Sequence, residues 1–193
     1  MGSDFSFVIV AKNECKSKIE AFINLHSDDR NSLFESADNC LCINFPLDSS
    51  ILKYLESLCQ YGASYPADYY IREHNAKARI GCIYFYHSTF DGLEGVCKYV
   101  FTAATSNMSF LFEESVSIRA WFVELSKQVG AMITYMDLEY NGNRIIFWGG
   151  KEIDILLKNN THFDLTVQEF RNAIITFSES EKHAFASDAP DFC

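Results

Sequence analysis

Residues 131–148, AMITYMDLEYNGNRIIFW, decide the fold. Two apolar runs rich in β-branched and aromatic residues flank the dipeptide Asn141-Gly142. An Asn-Gly pair between two such runs is a strong local signal for a β-hairpin, because both central positions of a type I′ turn require positive φ. The stretch therefore predicts two antiparallel strands, residues 131–140 and 143–148, joined by a type I′ turn and ended by Gly149-Gly150.

Outside this hairpin, short apolar runs predict five more strands. They are residues 5–10, 40–45, 69–72, 78–86 and 96–104, the last of which fits a helix as well as a strand, with its aromatic and β-branched residues favouring a strand. Residues 82–86 are apolar at every position, which is typical of a central strand. The Asn-Gly signal and the short connections favour antiparallel pairing for most of them.

Apolar residues at helical spacing predict four helices, which begin near Asn13, near Asp48 to Ser50, at Ser115 or Ser117, and near Thr166. Residues of these types can cap a helix with a side-chain oxygen. The segment 107–114, which lies between a strand and the third helix, is predicted to be a connection.

Interspersed strands and helices define an α+β fold, with a mixed, largely antiparallel sheet and several covering helices. Residues 1–180 are predicted to form a single domain, and residues 181–193 a polar C-terminal tail. Two half-domains that share one sheet, with a joint near residues 62–68, are the alternative.

The composition is that of a globular protein with a strong negative charge. Hydrophobic residues make up 48% of the chain, and 26 acidic against 16 basic residues give a net charge of −10. Such a charge repels nucleic acid and anionic lipid, so neither is expected as a partner. It attracts a basic protein instead.

The seven cysteines are odd in number, and the first residues lack the basic segment of a signal peptide. We therefore expect reduced thiols and a cytoplasmic location. Cys40 and Cys42 alternate along one strand, which puts both on the same face. With no second ligand pair nearby, they are predicted to be buried packing thiols rather than zinc ligands.

Motifs for catalysis and cofactor binding are missing from the sequence. There is no Gly-x-Ser-x-Gly elbow, and neither Gly92-Leu-Glu-Gly95 nor Gly149-Gly150 has the context of a phosphate-binding loop. No catalytic residue, cofactor site or metal site is therefore predicted, and the chain is not expected to be an enzyme.

Clusters of acidic residues interleaved with tyrosine are the remaining functional signal. Carboxylates and tyrosines together are typical of polar interfaces that form through electrostatic attraction. The predicted partner-binding residues are Asp28, Asp29, Glu35, Asp38, Tyr135, Asp137, Glu139 and Tyr140. The tyrosines among them are expected to be exposed.

Small, acidic α+β chains without a catalytic motif include bacterial toxin-neutralising (immunity) proteins, which block an effector by binding it. The hypothesis is therefore a protein-binding inhibitor with a basic partner. One alternative is a small-molecule-binding or enzymatic domain, in which His87 or Cys97 would lie in a pocket beside a carboxylate. Another is a structural or adaptor subunit.

Overall fold

The computed structural model describes residues 4–27, 40–59, 76–90 and 94–158. Within them the strands are β1 Ser6–Lys12, β2 Cys40–Pro46, β3 Lys77–Thr89, β4 Val96–Ala103, β5 Ile133–Asp137, β6 Asn143–Trp148 and β7 Lys151–Leu157. The helices are α1 Lys16–His26, α2 Ser49–Cys59, α3 Ser106–Glu114 and α4 Val116–Val129. The predicted α+β fold is confirmed.

All seven strands form one sheet in the order β2-β3-β4-β1-β5-β6-β7. Each of the six pairings is antiparallel. The N-terminal strand β1 occupies the middle, between β4 and β5. Its apolar run, Phe7 to Ala11, is buried on both faces, as the continuous hydrophobic pattern of a central strand requires.

The two faces of the sheet differ in what lies against them. Alternate side chains of the strands join residues of all four described helices in the larger apolar cluster. We call this side the helix face. The other side, the outer face, carries a smaller cluster drawn mainly from strand residues between β4 and β7. Every described helix therefore packs on one side of the sheet.

The predicted hairpin is confirmed as β5 and β6, but its turn is not of type I′. Leu138 is buried, and a 3-10 turn follows at Glu139–Asn141. Glu139 and Gly142 have positive φ, whereas Asn141 does not. The burial of Leu138 ends the strand early, so the connection is longer than two residues.

Capping side chains mark the beginnings of α2 and α4. Asp48 Oδ1 accepts hydrogen bonds from the backbone N–H groups of Ser50 and Ile51, at the start of α2. Ser115 Oγ accepts one from Ile118 N at the start of α4. Asp48 and Ser115 are both among the residues that the sequence predicts at these helix starts.

Two elements differ from the sequence prediction. Residues 106–114 form helix α3 rather than a connection, because Thr105 caps it through its side chain and Met108, Leu111 and Phe112 are buried. Strand β7 follows Gly149-Gly150, with buried Ile153 and Ile155 alternating with exposed residues. That period of two was present in the sequence.

Several predictions fall outside the described residues. These are the strand at 69–72, the joint at 62–68, the helix near Thr166 and the tail at 181–193. The first helix does begin after Asn13, but through a 3-10 turn without a side-chain cap. Across the described part of the chain, the helices fall short of the length and apolar character needed to span a membrane.

Candidate partner-binding surface

The strand register aligns one residue from every strand in a single line across the outer face. We call it the cross-strand row. From edge to edge it contains Cys40, Tyr84, Thr102, Ser6, Asp137, Asn143 and Leu157. Six of the seven carry a hydroxyl, thiol, amide or carboxylate group, so the row is a strip of polar residues, of which Ser6 and Asn143 are buried.

The next line on the outer face, two positions along each strand, is mostly apolar. It contains Tyr86, Val100, Val8, Tyr135, Ile145 and Ile155. All of these except Tyr86 are buried. The cross-strand row therefore marks the border at which the outer face changes from buried and apolar to polar.

Tyr84 is the most exposed large side chain of the row, at 52% of its surface. Tyr86, on the same strand and face, is also half-exposed. Residues 82–86 do lie in a strand with a neighbour on each side, as predicted for a central strand, but the expected burial on both faces is wrong, because only Ile83 and Phe85 of these five residues are in the core. The alternation of tyrosine with Ile83 and Phe85 was the signal that could have shown this.

The hairpin tip adjoins the row beyond Asp137. Asp137 Oδ1 accepts a hydrogen bond from Glu139 N at 2.8 Å. Glu139 Oε1 accepts one from Asp4 N at 3.1 Å, which connects the tip to the N-terminal segment. Tyr140, between these carboxylates and Gly142, exposes 66% of its surface. The tip thus combines two acidic groups with one large exposed ring.

The predicted site residues have different outcomes. Asp137, Glu139 and Tyr140 lie together at the tip, whereas the expected exposure of Tyr135 is wrong, because only 2% of it is exposed. Tyr135 pairs with Val8 and Ile145 in the apolar line of the outer face. Four further residues of this prediction, Asp28, Asp29, Glu35 and Asp38, lie outside the described residues.

The pairing of the strands fixes the positions of the two residues between Tyr84 and Asp137, which are Thr102 and Ser6. Three strand spacings separate these two residues, or roughly 14 Å. Between them, the Ser6 and Thr102 hydroxyls are joined by a hydrogen bond of 2.8 Å. The strip has Tyr84 at one end and Tyr140 beyond the other. It is long enough to form part of a protein interface.

Cys40 and Cys42 lie on the same face, as predicted, but they are not buried packing thiols. Cys40 is exposed and Cys42 is only half-buried. The reason is that Leu41, Ile43 and Phe45 face the helices, so the thiols lie on the outer face of β2, which is an edge strand among the described strands.

The alternative site around His87 and Cys97 has a different environment from the one expected. Cys97 is buried, and its thiol donates to Asn13 Oδ1 at 3.5 Å. The His87 ring stacks on Tyr99 at 6.3 Å, and burial together with nearby Lys16 lowers the pKa of His87. The Cys97 thiol therefore contacts the side-chain amide of Asn13, and the His87 imidazole stacks on the phenol ring of Tyr99.

The described part of the chain has cavities on its surface, and two of them have a clear lining. One, of about 420 Å³, is lined by Lys127, Met132, Phe147 and neighbouring glycines. The other, of about 200 Å³, lies between α2 and α3 beside Tyr54 and Phe110. Neither of these two cavities is lined by His87 or Cys97.

Over the four described segments, no group of three or more His, Cys, Asp and Glu side chains is placed to hold a metal ion. The described geometry with the clearest chemical character is the strip of polar groups and tyrosines on the outer face. Comparison with protein-family models, with curated proteins and with solved structures finds no match to this chain.

Proposed function

We propose that the chain is a protein-binding inhibitor that occupies a basic partner through the cross-strand row and the hairpin tip. Bacterial toxin-neutralising proteins act in this way, and the proposal places the chain among proteins of that type. The observation that carries it is the placement of Tyr84 and Tyr140, both exposed, at the two sides of a strip of hydroxyl and carboxylate groups.

Tyrosine is one of the residues that contribute most to binding energy at protein interfaces, because its ring buries a large area and its hydroxyl forms hydrogen bonds. The row presents Tyr84 on a strand within a sheet, so little conformational entropy is lost on binding. The half-buried Thr102 hydroxyl, held by its hydrogen bond to the buried Ser6, supplies a further polar contact.

Electrostatics support a basic partner. The chain carries a net charge of −10, and the hairpin tip presents Asp137 and Glu139 beside Tyr140. Complementary charge accelerates encounter with a partner more than it raises final affinity. The tip is therefore suited to guide a basic surface toward the row.

Replacing either exposed tyrosine is expected to weaken partner binding. The partner to be tested is the product of the reading frame adjacent to the one encoding this chain. Loss of a tyrosine that anchors an interface costs about 2 kcal/mol, so Tyr84→Ser and Tyr140→Ser should each weaken affinity at least about tenfold. Isothermal titration calorimetry measures this directly.

Leu25→Ser is the matched control, since Leu25 is 78% exposed on α1 and lies on the helix side of the sheet. It should leave affinity unchanged. Failure of the native chain to form a complex in gel filtration would reject the proposed function. Equal losses in the control would reject the assignment of the surface.

The charge at the hairpin tip is expected to control the association rate. Glu139→Gln keeps an oxygen that can accept from Asp4 N but removes the charge. We expect a severalfold slower association at low salt, with little change in dissociation, and a smaller difference at high salt. Stopped-flow fluorescence distinguishes the two rates.

Glu56→Gln removes the same charge from an exposed position on α2 and should change association much less. If both variants slow association equally, net charge alone attracts the partner and the tip has no particular part in it.

A further inference from the structure

Three cysteines lie together on the outer face where β2 pairs with β3. Cys40 and Cys42 project from β2, and Cys82 from β3. The register between the two strands shifts between Leu41 and Ile43, so Cys42 lies opposite the extra residue of a β-bulge. The bulge brings Cys82 next to the thiols of the neighbouring strand.

Gly81 makes room for this arrangement. A Cβ atom at Gly81 would lie 3.1 Å from the Sγ of Cys42, which is closer than most side chains tolerate. Cys82 itself has a φ of 59°, the left-handed conformation that glycine adopts most easily. A cysteine in that conformation is strained, and strain of this kind is concentrated at functional positions, which points to a reason for having a thiol there.

We propose that Cys40 and Cys82 form a dithiol site that low-molecular-weight disulfides oxidise to an intramolecular disulfide between β2 and β3. Cys82 is the diagonal neighbour of Cys40 across the two strands, because Cys40 pairs with Tyr84 and Leu41 pairs with Ile83. Both cysteines are exposed, so a small disulfide can reach them. The chemistry of the pair requires no protein partner and is independent of the proposed function.

Cys15 and Cys97 lack this combination of contact and exposure. Cys15 is buried and donates its S–H to Val129 O at 3.1 Å, and Cys97 is buried beside Asn13. The three outer thiols do not converge as metal ligands either, since no such group of three occurs among the described residues. Thiol–disulfide exchange is the chemistry that remains for a neighbouring pair of accessible thiols.

The incoming disulfide is the oxidant that accepts the two electrons of the reaction. One protein thiolate attacks a sulfur of RS–SR, the S–S bond breaks, and RS⁻ leaves and takes up a proton. The second protein thiolate then attacks the protein sulfur of the mixed disulfide and expels the second RS⁻. The two cysteines lose two protons and two electrons in all, and RS–SR is reduced to two RSH.

The slight burial of the largely exposed Cys40 sulfur, and then the neighbouring Cys82 and Cys42 thiols, raise the pKa of Cys40 above its ordinary value. Because the thiolate is the attacking species, oxidation should accelerate as the pH rises through the weakly alkaline range. Reduced thiols in excess should reverse it.

The test treats the full native chain with oxidised glutathione, blocks remaining thiols with iodoacetamide and digests without reduction. Trypsin produces one peptide of residues 31–53, which contains Cys40 and Cys42, and another of residues 80–98, which contains Cys82 and Cys97. We expect these two peptides to be linked, with fragment-ion mass spectra assigning the bond to Cys40 and Cys82. The linked protein should melt on the order of 5 °C higher.

Matched variants identify the bond independently. Cys42→Ser and Cys97→Ser should keep the link, and Cys40→Ser or Cys82→Ser should abolish it, with circular dichroism confirming that each variant folds. A bond from Cys42, a glutathione adduct that persists without an internal bond, or unreacted thiols at pH 8.5 would each overturn the proposal.

Discussion

Replacing Phe122 with alanine is expected to destabilise the protein by about 4 kcal/mol, a large share of the total stability of a typical domain. Phe122 is fully buried on α4, and its ring stacks on Phe7 of β1 with centroids 3.9 Å apart. Edge contacts with Phe101 and Trp121 surround the same ring. Its removal leaves a cavity between the helix and the central strand that these rigid rings cannot fill.

Urea denaturation of Phe122→Ala should show a lower midpoint with an unchanged slope. Phe110→Ala is the control, because Phe110 is 52% exposed on α3 and loses far less apolar burial. We expect the control to cost less than about 1 kcal/mol. If the two variants were equally unstable, the packing of α4 on β1 would not be the main source of stability.

Asp48→Ala is expected to destabilise the fold by about 3 kcal/mol, because one carboxylate serves the beginnings of two helices. Its Oδ1 caps α2. Its Oδ2 accepts hydrogen bonds from the Ser115 hydroxyl at 2.7 Å and from Ser117 N at 3.0 Å, at the start of α4. The substitution leaves these donors without their acceptor.

The contribution of Asp48 should depend on pH. Burial alone would raise the pKa of Asp48, but the hydrogen bonds from Ser117, Ile51 and Ser115 outweigh burial and hold the pKa below its ordinary value. A carboxyl with a depressed pKa in the folded state stabilises fully above its unfolded pKa, about 3.9, and loses this as the pH falls through the folded value. The difference in unfolding free energy between native and Asp48→Ala should therefore shrink below about pH 4.

Asp4→Ala provides the comparison, since Asp4 is exposed and its hydrogen bond to Glu139 uses only the backbone N–H. Its stability should match that of the native chain from pH 3 to 7, as followed by urea denaturation at each pH. A constant deficit for Asp48→Ala over the same range would show that its charge is not what stabilises the helices.

Local features of the fold could be predicted from the sequence. Asn141-Gly142 correctly predicted the hairpin, and Asp48 and Ser115 correctly predicted two helix starts. Each depends on interactions within a few residues along the chain, which is the range that sequence patterns report. The turn type was wrong because Leu138 is buried in the core, a tertiary contact that outweighs the local preference of Asn141.

The candidate surface could be predicted only in part. Asp137, Glu139 and Tyr140 are neighbours in sequence, so their proximity was visible. Tyr84 joins them only through the pairing of β3 with β4, of β4 with β1 and of β1 with β5. Such a register is set by strands far apart in sequence, and the same register buries Tyr135.

The central place of β1 has a consequence for how the protein is made. Asp4, just before β1, and Glu139, just after β5, are in contact although they are 135 positions apart. At a synthesis rate of about 5–20 residues per second, the first strand waits roughly 7–27 s after leaving the ribosome before that partner strand emerges. Its other neighbour, β4, also lies far along the chain, so the apolar run of β1 has no partner strand until residues 96–103 emerge and lacks its second one until β5 follows. Slow folding and a need for chaperone protection are therefore expected from the order of the strands alone.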